Sequence, residues 1–263
     1  MISQIRYSLK YIKYFLFTKH KRGHGIHSPF VYNLISNVLN NKREYEDLKQ
    51  VTNAHNKYIK STKHIEFEDL GAGSNYNNPK KLTLGKIIRR SSVDNKYGKL
   101  IFNLIKYFQP INILELGSSV GISSAYIAQA APQSNFKSIE GVEEKIQIAK
   151  EISLELNQNT EFIHGNFDNI LNTVLEKYNK LDLVFFDGNH TKQSTLNYFN
   201  SCLNKSHNES IFIFDDIHWS RDMEESWEII KKHNKVKVSI DIFRMGLIFF
   251  KKELSCQQYV IKF

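Results

Sequence analysis

Three aspartates follow two short apolar runs in the second half of the chain. Asp187 comes directly after Leu181–Phe186, and Asp215 and Asp216 come directly after Ile211–Phe214. Runs of this length are typical of buried parallel strands, whose carboxyl ends meet at one ligand-binding edge of a sheet. Three carboxylates at that edge repel one another unless protons or a cation intervene, and such oxygens suit Mg²⁺ or another hard divalent cation. The pattern predicts a metal site, with simple loop capping as the alternative.

A glycine turn lies earlier in the chain, after another apolar run. The run Ile111–Leu116 contains one acid near its end, Glu115, and is followed by Gly117, Gly121 and a helical pattern. Strand, glycine turn and helix form the first unit of a nucleotide-binding α/β sheet. Gly117 allows the backbone to turn sharply, and Gly121 is expected to let a ligand approach the start of the helix.

A second acid supports a nucleotide-like ligand at this turn. The predicted strand Asn135–Ile139 ends at Glu140, nineteen residues after Gly121. A carboxylate in that place can accept hydrogen bonds from the two hydroxyls of a ribose. The glycines do not follow the G-x-G-x-x-G spacing of dinucleotide sites. We therefore expect a nucleoside without phosphates.

Leu114–Gly121 reads LELGSSVG, and together with Glu140 it resembles the first motif and ribose acid of the class I S-adenosylmethionine (SAM) methyltransferases. The resemblance covers roughly residues 96–252. It implies a Rossmann-like α/β fold with a seven-stranded, mostly parallel sheet whose last strand is antiparallel, and SAM as the cofactor. Asn166 and Phe167 stand where this superfamily contacts the adenine. For these two residues, a turn with a core phenylalanine is the alternative. The implied cofactor-binding residues are Glu115, Gly117, Ser118, Gly121, Glu140, Asn166, Phe167 and Asp187.

The spacing of the aspartates is similar to that in the catechol and caffeoyl-CoA O-methyltransferases. In those enzymes an Asp and, about 28 residues later, an Asp-Asn pair hold a divalent metal, and a Lys three residues after the first Asp deprotonates the acceptor. Asp187 and Asp215 match this spacing, whereas Asp216 replaces the Asn and His190 replaces the Lys. An imidazole can accept a phenol proton, so the resemblance implies Asp187 and His190 as catalytic residues and Asp187, Asp215 and Asp216 as metal ligands. Helix capping is the alternative for His190.

The basic charge of the chain is concentrated in its first third. The formal net charge is +9, yet residues 1–95 carry 17 basic and 7 acidic residues, and residues 96–263 carry 19 and 20. This asymmetry predicts a basic, mainly helical N-terminal region over residues 1–95 and a SAM-binding domain over residues 96–263. Residues 2–17 have the spacing of an amphipathic helix, which suits a lid, a homodimer contact, or a membrane or nucleic-acid surface.

A second glycine-rich stretch, Asp69–Ser74, competes with Gly117–Gly121 for the cofactor. A polar turn region follows it instead of a helix, and no second strand ends in an acid at the right distance. We interpret it as a loop of the active site or of an interface. The combination of HGIHSPF, DLGAGS and DDIHW resembles a group of uncharacterised bacterial SAM-methyltransferase homologues, which assigns no acceptor.

The leading hypothesis is O-methylation of a small hydroxylated molecule. The alternatives are an RNA methyltransferase that uses the basic N-terminal region, and a SAM-binding protein without catalysis. Nucleic acid is the poorer partner because D-G-N-H stands where amine methyltransferases carry an N-P-P-[YF] clamp.

The two cysteines have no metal or disulfide spacing, which indicates a reducing compartment. No apolar run is long enough to span a membrane, so a cytoplasmic protein is expected.

Overall fold

The structure is a computed structural model that describes residues 2–18, 20, 23, 25–68 and 80–263. The competing stretch Asp69–Ser74 lies outside these described residues. The helices are α1 (Ile2–Phe17), α2 (Pro29–Leu34), α3 (Glu46–Tyr58), α4 (Leu84–Ser91), α5 (Asn95–Phe108), α6 (Ile122–Ala130), α7 (Glu143–Glu155), α8 (Phe167–Glu176), α9 (Lys192–Leu203) and α10 (Arg221–Ile230), with a π-helical segment, Ile35–Leu39, after α2. The strands are β1 (His64–Phe67), β2 (Lys80–Thr83), β3 (Asn112–Leu116), β4 (Asn135–Glu140), β5 (Glu161–His164), β6 (Leu181–Phe186), β7 (Ser206–Phe214), β8 (Val238–Asp241), β9 (Gly246–Phe249) and β10 (Gln257–Val260).

The described strands form one mixed eight-stranded sheet and one separate antiparallel pair, β1 with β2. The order in the large sheet is β10-β8-β9-β7-β6-β3-β4-β5. The pairs β3/β4, β4/β5, β6/β7 and β8/β10 are parallel, and β9 is antiparallel to both β7 and β8. The predicted Rossmann-like α/β fold is confirmed with one correction. The sheet has eight strands instead of seven, because Gln257–Val260 adds an edge strand beside β8.

The chain separates into two compact units, residues 41–170 and residues 1–40 with 171–263. The first unit contains β3, β4 and β5 with helices α3 to α7. The second contains α1, α2 and strands β6 to β10 with α9 and α10. The domain boundary that the charge pattern places near residue 95 remains a prediction.

In the 41–170 unit, β3 is held in a dry core. Ile113 and Leu114 are fully buried, as expected for a parallel strand covered on both faces. Helix α5 packs closely on α6, since a Cβ at Gly98 would lie 2.4 Å from the ring of Tyr126. These contacts fix the end of β3, where the glycine turn begins.

In the other unit, β6 and β7 form an aromatic core. The rings of Phe186 and Phe214 stack with their centroids 4.4 Å apart, and the strands pair in parallel so that these two residues are register partners. Asp187 and Asp215 follow them directly, and the Asp215 N–H donates to the Phe186 carbonyl at 2.9 Å. The register therefore places both acids at the carboxyl end of this strand pair.

Helix α1, predicted over residues 2–17, is confirmed and packs on the C-terminal strands of its own unit. The Tyr14 hydroxyl donates to the Ile261 carbonyl at 2.5 Å and accepts from the Phe263 N–H at 2.9 Å. Arg6 and Lys10 both pair with Glu224. Within the described residues, no helix is long and apolar enough to cross a membrane.

Candidate active site

The turn after β3 has the backbone that its glycines predict. Gly117 and Gly121 have φ values of 99° and 85°, in the left-handed region that glycine tolerates best. The structure gives Gly121 a further reason besides the predicted ligand approach: a Cβ there would lie 2.7 Å from the Cβ of Ala149 in α7. Gly121 thus allows helix α7 to pack against the turn.

Glu140, at the end of β4, holds this turn in place. Its Oε2 accepts from the Ser119 N–H at 2.8 Å, and its Oε1 accepts from the Val142 N–H at 3.0 Å. Ser119 has a positive φ of 46°, and its hydroxyl lies 2.9 Å from that of Ser91. An ionised carboxylate has about four acceptor positions. Because the backbone occupies two of them, Glu140 retains acceptor capacity for a ribose diol.

Glu115 lies beneath the turn and is fully buried. Its Oε2 accepts from the hydroxyls of Ser124 in α6 and Ser138 in β4, the latter at 2.6 Å, and its Oε1 has no hydrogen-bond partner among the described residues. Burial raises the pKa of Glu115, and neighbouring serine hydroxyls lower it. Glu115 therefore ties α6 to β4. Ser118, also predicted as a cofactor contact, is buried in the same turn.

Asn166 and Phe167 lie where α8 begins. The Asn166 carboxamide oxygen accepts from the Asp168 N–H at 2.9 Å, so this side chain caps the helix. Asn166 is exposed, and Phe167 is half-buried rather than in the core. A cap uses only the carboxamide oxygen, which leaves the –NH₂ group of Asn166 as a hydrogen-bond donor toward a purine edge.

The loop after β6 presents Asp187 and His190. Asn189, at a positive φ of 49°, anchors this loop by donating to the Ser194 hydroxyl at 3.0 Å and the Tyr198 hydroxyl at 3.1 Å, both on α9. His190 Nε2 lies 3.6 Å from Asp187 Oδ1, and its Nδ1 is buried with no hydrogen-bond partner among the described residues. Burial lowers the pKa of His190, so its ring is neutral near pH 7 and can accept a proton.

The acids after β7 have a partner that the sequence patterns do not reveal. Arg244, on the turn between β8 and β9, donates from Nε to Asp215 Oδ1 at 3.0 Å and from a terminal nitrogen to Asp215 Oδ2 at 2.8 Å. Its Nε also lies 3.7 Å from Asp216 Oδ1. Burial opposes the charge of Arg244, but Asp215, followed by Asp216 and Asp187, raises the pKa of its guanidinium.

Asp216 lies beside this pair at a positive φ of 54°. Burial and the neighbouring Asp215 charge raise the pKa of Asp216 to about 7, although Arg244 lowers it. Tyr7 of α1 is also in this region, and burial followed by the Asp216 charge raises the pKa of its phenol to about 12. Asp215, Asp216, Arg244 and Tyr7 therefore lie close enough to influence one another electrostatically.

The expected metal ligands do not fit a divalent cation in this arrangement. Asp215 bonds Arg244 through both oxygens, and the guanidinium lies beside Asp216 as well, where a shared cation would have to lie. Among the residues that the structure describes, no group of three His, Cys, Asp or Glu side chains has the geometry to hold a metal ion.

Arg244 is the residue that sequence reasoning missed. Its one feature in the sequence is that it is an arginine within the apolar segment Ile242–Met245, which does not identify its partner.

Comparisons with known proteins bear on both the sequence and the fold. Residues 114–217 match a family model described as a methyltransferase domain. The O-methyltransferase TomG from Streptomyces achromogenes, solved with SAM, is 20% identical with a TM-score of 0.57, over 84% of this chain and 94% of that one. An O-methyltransferase from Bacillus cereus, solved with SAH, is 17% identical with a TM-score of 0.56, over 79% and 92%. No curated protein matches the chain.

A third solved structure has a similar fold. The SAH-bound methyltransferase PaMTH1 from Podospora anserina is 13% identical with a TM-score of 0.58, over 81% of this chain and 92% of that one. At these identities the likeness establishes the fold, and the family model adds the domain type. The matched segment starts inside β3 and ends just after Asp216, so it includes the turn, Glu140 and the acids. Residues 114–217 thus resemble a methyltransferase domain, and the chain shares the fold of these solved methyltransferases, as the sequence resemblance implies.

Proposed function

We propose that the chain is a SAM-dependent O-methyltransferase that acts on a small hydroxylated acceptor. The observation that carries the proposal is the Glu140 carboxylate, which clamps the glycine turn through the Ser119 N–H and keeps acceptor capacity for a ribose. TomG and the Bacillus cereus enzyme, which share this fold, are O-methyltransferases solved with SAM and SAH, respectively.

The residues after β3 and β4 fit SAM. Glu140 would bind the ribose hydroxyls, and the exposed Asn166 would contact the adenine edge. The buried Oε1 of Glu115, which has no hydrogen-bond partner in the part of the chain that the structure describes, suits a donor such as the SAM ammonium or an intervening water. When bound, SAM supplies a methyl group on a sulfonium, which leaves with the C–S electron pair remaining on sulfur.

His190 is the proposed general base. Its neutral ring would take the acceptor O–H proton, while the acceptor oxygen forms its new bond to the methyl carbon. Asp187, with an oxygen 3.6 Å from His190 Nε2, would stabilise the imidazolium that results. A positioned base contributes about 10²- to 10⁴-fold in rate.

RNA is less well supported as the methyl acceptor than a small molecule. Part of the basic excess in the first third is used in ion pairs with acids of the later chain, because Arg6 and Lys10 pair with Glu224, and Lys57 pairs with Glu155. Less free positive charge then remains to neutralise phosphates.

The test is transfer of tritiated methyl from SAM to a panel of phenols, catechols and hydroxylated aliphatic molecules, with total RNA as a separate acceptor. We expect transfer to a small acceptor, and a loss of at least about 100-fold in kcat for His190→Gln. The matched control is His207→Gln, since His207 pairs with Asp182 at 2.7 Å at the amino ends of β6 and β7. Label found only in RNA, or equal rates for both histidine variants, would contradict the proposal.

A further inference from the structure

Asp215 is the most constrained carboxylate among the acids that follow β6 and β7. Its side chain is 0% exposed, and Arg244 meets both of its oxygens with two separate N–H donors, at 3.0 and 2.8 Å. Such bidentate pairs are among the strongest and most directional in proteins, and lysine cannot reproduce them. A buried carboxylate without this partner would be costly. The guanidinium is therefore an integral part of the acidic cluster.

The positive charge of Arg244 interacts with the carboxylates of Asp215, Asp216 and Asp187. Arg244 lies 3.7 Å from Asp216 as well as bonding Asp215, and Asp187 also acts on its charge. Of the described residues, His190 from the loop after β6 and Tyr7 from α1 also interact electrostatically with this cluster. A divalent cation held by the same acids would occupy the same electrostatic position.

The turn between β8 and β9 fixes where Arg244 points. Phe243 has a φ of +72°, which is rare for a bulky residue, and its N–H donates to Asp241 Oδ1 at 2.8 Å. The Arg244 carbonyl accepts from the Ile217 N–H at 3.1 Å, and this bond joins the turn to the segment after Asp216. Strained backbone of this kind persists only where surrounding contacts impose it.

Helix α1 supplies those contacts. The ring of Phe243 lies among three tyrosines of α1, with centroid distances of 5.1 Å to Tyr7, 5.1 Å to Tyr11 and 5.2 Å to Tyr14. The His218 ring lies 5.2 Å away on the same aromatic group. The N-terminal helix thus holds the turn that aims Arg244 at Asp215.

We propose that the guanidinium of Arg244 takes the place of a divalent cation between Asp215 and Asp216, so that methyl transfer by this chain needs no metal. The inference rests on the proposed function, which it deepens. For an acceptor oxygen bound beside Arg244, this fixed positive charge would favour the ionised form, as a metal would. His190 remains the group that receives the proton.

The first test measures metal binding and does not depend on turnover. Mn²⁺ is titrated into the full-length protein and followed by electron paramagnetic resonance. The wild-type protein is expected to bind no Mn²⁺ tighter than about 1 mM, the weak end of protein Ca²⁺ and Mg²⁺ sites. Arg244→Ala frees two carboxylates and is expected to bind at least about tenfold more tightly. Arg221→Ala is the matched control, because Arg221 is exposed and pairs with a single carboxylate, Glu225.

Two results would overturn the inference. One is wild-type Mn²⁺ binding that Asp215→Asn abolishes, and the other is an Arg244→Ala protein that gains no Mn²⁺ affinity while its circular dichroism matches that of the wild type. If Arg244→Ala does not fold, Arg244→Gln gives the same comparison with less loss of volume. SAH binding is measured on the same samples. If the wild-type protein does not bind SAH, the proposed function is refuted. The Mn²⁺ result separately decides the role of Arg244.

The second test uses the labelled-methyl assay. Activity is expected to be unchanged by a chelator and by added Mg²⁺. Arg244→Lys keeps the charge but loses the bidentate geometry, so it is expected to lower kcat while leaving SAH affinity unchanged. Activity that a chelator abolishes and Mg²⁺ restores would overturn the inference.

Discussion

Replacing Gly121 by alanine tests the described geometry of the cofactor turn. The residue has a φ of +85°, and an added Cβ would lie 2.7 Å from the Cβ and 2.8 Å from the Cα of Ala149. Left-handed backbone costs an L-residue about 1–2 kcal/mol. Overpacking against a helix costs about 1–3 kcal/mol more. The free energy of unfolding of Gly121→Ala should therefore fall by about 2–5 kcal/mol.

Gly25→Ala separates the two contributions. Gly25 is exposed and has a similar φ of +75°, and among the described residues an added Cβ there would meet the His20 ring, at 3.6 Å. This variant should lose only the backbone part, about 1–2 kcal/mol. The difference between the two variants then measures the contact with α7.

The assay is urea unfolding followed by circular dichroism, with the wild type and both variants at the same pH and temperature. Gly121→Ala should shift the midpoint to lower urea by clearly more than Gly25→Ala does. Equal shifts for the two alanines would refute the close packing of α7 on the turn. Gly121→Ala should also weaken SAH binding, because a displaced turn would no longer donate the Ser119 N–H to Glu140.

Two further predictions concern Asp216 and Glu115. Because folding raises the pKa of Asp216 from its ordinary value of 3.8 to about 7, the folded protein binds this proton more tightly than the unfolded chain, so the free energy of unfolding should fall as pH rises from about 4 to 7. Urea unfolding of Asp216→Asn across that range should lack this part of the fall, and an unchanged pH profile would contradict the account. Ser138→Ala should lower the free energy of unfolding by about 1–3 kcal/mol, because it removes a hydroxyl donor from the fully buried Glu115. Ser255→Ala, where the hydroxyl accepts only from the side chain of Gln257, is the control, and equal losses would argue against the Glu115 link.

The sheet and its ligand edge could be predicted because they depend on local patterns. Apolar runs such as Leu181–Phe186 specify buried strands, and an acid directly after a strand must lie at its carboxyl end. For residues 257–263, the alternation of Tyr259, Ile261 and Phe263 indicates either an edge strand or a contact with a second subunit, and the pairing of β10 with β8 shows the edge strand.

Arg244 could not be predicted in its role. It meets Asp215 across 29 residues of chain through a turn whose geometry depends on the positive φ of Phe243. Sequence patterns give no sign of that backbone state, since phenylalanine rarely adopts it. The expectation of a metal followed from counting carboxylates without this cation. Gly121 is similar: its need for glycine was predictable, but its contact with Ala149 depends on the packing of α7.

Isothermal titration of the protein with SAH tests the central claim, that Glu140 and the glycine turn form a SAM site. The wild type should bind SAH, and Glu140→Gln should bind about 10- to 150-fold more weakly, since hydrogen bonds to a charged group contribute about 1.5–3 kcal/mol. Glu155→Gln, which alters an exposed acid paired with Lys57 in the same unit, should bind as the wild type does. A wild-type protein that does not bind SAH, or a Glu140→Gln protein that binds it equally well, would contradict the account.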